Sequence, residues 1–76
     1  MKEISRIKGP GERFFVIENG LFCPLFTDKK YKYRVLVQWY ENTPRGPHLT
    51  GRICGHYRSL KDAKDRVARL IDIYTD

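Results

Sequence analysis

The sequence predicts a small α+β domain, an antiparallel β-sheet of three to five strands with an N-terminal hairpin, packed against one C-terminal α-helix. Three observations predict it. Tyr31 to Glu41 alternates apolar and polar residues, Leu49 to Tyr57 alternates again after a Pro/Gly break, and Leu60 to Tyr74 repeats apolar residues at helical spacing. The 76 residues allow one domain and one core, because so short a chain buries only about 60% of the surface its unfolded form exposes. An apolar share of 41%, with one Trp, five Tyr and four Phe, belongs to a chain that folds rather than to a disordered tail.

Met1 to Glu12 has no sustained period and ends in the breaker Gly9-Pro10-Gly11. With Lys2, Arg6 and Lys8, residues 1–12 read as a flexible basic arm and 13–76 as the single domain. Arg13 to Ile17 is a short aromatic and β-branched run, followed by Glu18-Asn19-Gly20 and a second run from Leu21 to Phe26. An Asn-Gly pair between apolar runs predicts a hairpin, since both residues tolerate the positive φ of a type I′ turn. Pro24 cannot donate to a ladder, which makes the second run an edge strand. Thr27 to Lys30 is polar and reads as a connection.

Within Tyr31 to Glu41, strict alternation puts Tyr31, Tyr33, Val35, Val37 and Trp39 on one face and Lys32, Arg34, Leu36, Gln38 and Tyr40 on the other. Asn42 to Pro47, with two prolines and a glycine, predicts a loop of moderate length. Alternation then places Leu49, Gly51, Ile53, Gly55 and Tyr57 on the core side and Thr50, Arg52, Cys54 and His56 on the polar side. The glycines on the core side predict a close approach of the helix, in preference to a bulge. Ser59 is placed to cap the helix, with Asp62 three residues on, and Leu60, Ala63, Val67, Leu70, Ile71 and Tyr74 form its apolar stripe. On the outer face, Lys61 with Asp65, Asp62 with Arg66, and Asp65 with Arg69 stand at i,i+4. The expected core is completed by Phe15, Ile17, Tyr33, Val35, Val37, Trp39, Leu49 and Ile53.

The formal charge is +6. From Ser59 onward Lys61, Lys64, Arg66 and Arg69 cancel against Asp62, Asp65, Asp72 and Asp76, so the whole excess belongs to the sheet half. A sheet covered by a helix on one side presents its other side to water or to a partner. By alternation that side carries Lys32, Arg34, Gln38, Tyr40, Arg52 and His56, with Arg58 just beyond. Arginine binds phosphate or guanine in bidentate fashion, glutamine bridges adenine, lysine acts as a point charge and tyrosine stacks. Segregated positive charge of this kind points to nucleic acid, DNA or RNA, gripped by the exposed sheet face.

The stretch Tyr33-Arg34-Val35-Leu36-Val37-Gln38-Trp39, followed after a turn by Tyr57-Arg58-Ser59-Leu60-Lys61-Asp62-Ala63, resembles the arm-type DNA-binding domains at the N-termini of phage and transposon tyrosine recombinases. The resemblance covers about residues 31–74. It implies a three-stranded antiparallel sheet against a C-terminal helix, with the sheet entering the DNA major groove. It would place the contacts on Lys32, Arg34, Gln38, Arg52 and His56, in a freestanding accessory or regulatory factor of a phage or mobile element.

The second reading is a protein-interaction module, an inhibitor or adaptor. Its supporting features are Phe14, Phe22, Phe26, Leu36 and Tyr40: the aromatics of the N-terminal hairpin exceed what one short helix covers, and exposed aromatics mark interfaces. A dimer through that hairpin or through an edge strand would serve either function. Catalysis is not expected, since no nucleophile–base constellation or glycine-rich phosphate loop appears. Neither is a cofactor. Cys23, Cys54, His48 and His56 lack the spacing of a structural metal site, and the two cysteines read as reduced thiols in a cytoplasmic protein. No stretch is long and apolar enough for a membrane span, and no signal peptide is visible.

Overall fold

A computed structural model describes residues 2–23 and 30–75. Four strands form one antiparallel sheet in chain order: β1 (Lys2–Lys8), β2 (Phe14–Phe22), β3 (Tyr31–Thr43) and β4 (Gly46–Tyr57). A helix, α1 (Leu60–Thr75), lies across β2, β3 and β4 and meets a 3-10 turn at Pro10–Glu12. This is the predicted α+β architecture.

The core lies where alternation on β2 and β3 puts it. Phe15, Ile17, Val35 and Val37 meet Ala63, Val67 and Leu70 of the helix, and Tyr33, Trp39, Cys54, Tyr57, Leu60, Ile71 and Tyr74 pack around them. Burying each large side chain removes its apolar surface from water, about 1.5–3 kcal/mol apiece. Ser59 starts the helix as expected, its Oγ accepting from the Asp62 amide at 3.2 Å. The i,i+4 pairs on the outer helix face do not close to ion-pair distance among the described residues.

Four local expectations fail, each for a physical reason. Residues 2–8 are not an arm but the edge strand β1, paired antiparallel with β2 from Lys2↔Asn19 to Lys8↔Phe14. Alternation is hidden there because β1 shifts register between Glu3 and Ser5 and because an edge strand buries little. Asn19-Gly20 is not a hairpin turn. β2 runs straight through it, neither residue has positive φ, and one residue more than β3 supplies stands between Asn19↔Tyr33 and Phe22↔Tyr31. Asn19 stays paired, and Gly20 with Leu21 stands against Lys32 as a bulge that needs no positive φ. Pro24 to Phe26 and the connection at 27–29 lie outside the described residues.

The stretch Asn42 to Pro47 is not a loop of moderate length. Pairing continues to Thr43↔Gly46, leaving Pro44 and Arg45 as the turn. Pro44 presets its φ, Gly46 takes φ +107, and the Thr43 hydroxyl donates to the Gly46 carbonyl at 2.6 Å. Finally, β4 carries a bulge. Val35 pairs with Gly55 and Leu36 with Ile53, so Cys54 is the extra residue and face parity reverses on either side of it. Leu49 and Ile53, expected in the core, are accordingly 40% and 49% exposed. Gly55 does not admit the helix. The Tyr57 ring lies over it, with Oη 2.6 Å from where a Cβ would stand.

Candidate nucleic-acid interface

On the sheet face away from α1, the register aligns two cross-strand rows. Glu18, Arg34 and His56 form one, and Val16, Leu36 and Ile53 the next. The first row is polar and tightly tied. The Arg34 Nε and Nη2 donate to one Glu18 carboxylate oxygen at 2.9 and 2.6 Å, with both side chains only 19% exposed. The guanidinium also lies 4.6 Å from the centroid of Phe22. Phe22 and Tyr31 in turn stand 5.9 and 6.1 Å from the His56 ring. Burial, followed by the nearby Arg34 charge, lowers the His56 pKa from its ordinary 6.5. The imidazole is therefore neutral at physiological pH and offers hydrogen bonding rather than charge.

The second row is apolar, with Val16 and Leu36 buried although they belong to the face without the helix. Beyond it Gln38 sits opposite Gly51, its Oε1 buried and without a hydrogen-bond partner. Tyr40 follows, 61% exposed and opposite Leu49. At the other end Arg58 is exposed, with its guanidinium 5.7 Å from the centroid of Tyr31. Lys32 is exposed as well. Its neighbour Tyr31 turns onto His56, so strict alternation no longer assigns Lys32 to that face.

Of the seven residues singled out by the sequence, Arg34, Gln38, Tyr40 and His56 share the far face, and Arg58 stands at its margin. Arg52 does not. The Cys54 bulge pairs it with Val37, which puts it on the helix side, where it lines two hollows with Tyr74. The reversal also brings Leu49 and Ile53 to the far face, which is therefore less basic and more apolar than strict alternation implies. Arg6 and Lys8 were missed as face residues. They stand opposite Val16 and Phe14 on β1, and Arg6 lies 5.5 Å from the Phe14 ring centroid. Both are tempered by carboxylates, Arg6 by Glu3 at 2.7 Å and Lys8 by Glu12 at 2.9 Å.

The β3–β4 hairpin outruns the rest of the sheet. β2 leaves β3 at Phe14↔Gln38, while β3 and β4 continue through Trp39↔Thr50 to Thr43↔Gly46. At about 3.4 Å per residue this makes a two-stranded ribbon on the order of 15 Å long, with Arg45 at its tip. The molecule measures 40 × 28 × 22 Å. No family model matches the chain, and comparison with curated proteins and with solved structures likewise gave no match. Among the described residues no helix is long and apolar enough to cross a membrane.

Proposed function

We propose that the protein binds nucleic acid, duplex DNA in the first instance, through the sheet half of the molecule. The observation that carries the reading is how its arginines are held. Arg6, Arg13, Arg34 and Arg58 lie over Phe14, Tyr74, Phe22 and Tyr31, at 5.5, 4.5, 4.6 and 5.7 Å. All four guanidinium groups lie within the roughly 6 Å at which a ring face attracts a cation. A ring holds a guanidinium without neutralising it, but Glu3 and Glu18 already engage the N–H edges of Arg6 and Arg34, so it is Arg13 and Arg58 that keep theirs for a phosphate or a base. Among the described residues, Arg13 and Arg58 have no carboxylate at ion-pair distance. The resemblance of residues 31–74 to arm-type DNA-binding domains points the same way, and the projecting ribbon has the width that a major groove admits.

A duplex titration at two salt concentrations tests this. With about four phosphate contacts, the log–log slope of affinity against salt is expected near −3.6, and Arg58→Ala should reduce its magnitude by about 1. Absence of binding at low salt would remove the proposal. The rival reading, a protein partner, is favoured by Leu49, Ile53 and Tyr40 standing exposed on one face. It predicts an association that salt barely alters.

A further inference from the structure

A hollow among the described residues lies in the notch where β2 begins at Phe14 while β3 runs on past Gln38. Its volume is 510 Å³, within the range of small-ligand sites. Arg13, Phe14, Trp39, Tyr40, Arg52 and Tyr74 line it, four rings and two guanidinium groups. Arg13 is stacked on Tyr74 at 4.5 Å, and its Nη1 occupies the space that a side chain on Gly11 would need. Arg52 is exposed, and the Cys54 bulge turns it toward this end of the helix side. Neither arginine has an ion-pair partner among the described residues. The one carboxylate in the lining, Glu12, is engaged by Lys8 at 2.9 Å. β2 no longer pairs with β3 beyond Gln38, so the wall of the notch also offers backbone groups that no neighbouring strand uses on that side.

From this we infer that the notch is a binding site for a single nucleotide, its base stacked among Trp39, Tyr40 and Phe14 and its phosphate held between Arg13 and Arg52. Flat rings give a base area to stack on whatever its identity, and two arginines without an ion-pair partner among the described residues suit an anionic phosphate, monoester or diester. An apolar ligand would leave both cations unanswered. A bare inorganic anion would leave the rings unused. The site shares Arg13 and Tyr40 with the duplex reading and separates from it at Arg52, which stands on the opposite face of the sheet from Arg34 and His56.

The ligand's chemistry has two sources, a free nucleoside monophosphate or one unstacked nucleotide of a single strand. Trp39 is the only tryptophan in the chain and so reports on the site by itself. Titrating the full chain with adenosine monophosphate, and separately with a short single-stranded oligonucleotide, should quench Trp39 emission saturably. Quenching by both places a free nucleotide within reach of the site, and quenching by the oligonucleotide alone identifies a strand as the source. Arg52→Ala should weaken either ligand about ten- to a hundredfold, the loss expected for one charge-assisted contact, with Arg52→Lys intermediate and Lys61→Ala unchanged. Unaltered melting of Arg52→Ala would show that the loss is local. No quenching by either ligand, or equal weakening by Lys61→Ala, would overturn the inference, whatever the duplex titration gives.

Discussion

His56 shows how a residue chosen for its chemistry can take on a different role from its surroundings. Alternation placed it on the far face, where it is, but Phe22 and Tyr31 pack against its ring and Arg34 stands opposite. Its folded pKa lies below the ordinary 6.5, so between those two values the unfolded chain binds the extra proton. His56 therefore contributes stability that is complete above about pH 6.5 and is lost as the pH falls toward the folded value. Thermal melts at pH 7.5 and 5.5 should show a drop on acidification that His56→Gln reduces. An unchanged drop in that variant would assign the acid sensitivity to another group. Arg34 likewise was legible as a face residue but not as a structural one, because Glu18 is sixteen residues away in the chain and only the β2–β3 register brings the two together.

At the scale of elements, the helix was the most readable part. Its start, stripe and neutral outer face follow from residues three and four apart, and Ser59→Ala tests the start directly. Losing the hydroxyl that accepts from the Asp62 amide should cost about 1 kcal/mol, lowering the melting temperature by about 4–8 °C. A change below 1 °C would mean that packing alone sets the helix start. β2 and β3 were legible for the same reason of period, since Phe15, Ile17, Val35 and Val37 face the helix without interruption. β4 was not. One inserted residue at Cys54 exchanges the faces of everything before it, and nothing in Leu49 to Tyr57 distinguishes a bulge from an unbroken strand. Of the two glycines there, Gly55 adjoins the bulge while Gly51 pairs regularly with Gln38. Asn19-Gly20 misled in the opposite direction, because a pair that tolerates positive φ does not require it, and here it continues a strand into a bulge.

For the whole molecule, the division of charge survives while its geometry changes. A neutral helix still covers one side of a basic sheet half, but the arginines are shared between two places: Arg34 and Arg58 near His56, and Arg13 and Arg52 around the notch. The far face keeps an apolar centre at Val16 and Leu36, which sequence parity could not separate from solvent-facing positions because burial there depends on neighbouring strands. The projecting β3–β4 ribbon was hidden in the same way, since its reach depends on where β2 stops. Amide shift mapping of the labelled full chain on addition of duplex DNA at low salt measures the proposed function most directly. The expected result is a set of shifts over Arg34 to Tyr40, His56 and Arg58, with Lys61 to Asp72 unmoved. Shifts confined to α1, or none at all, would contradict it.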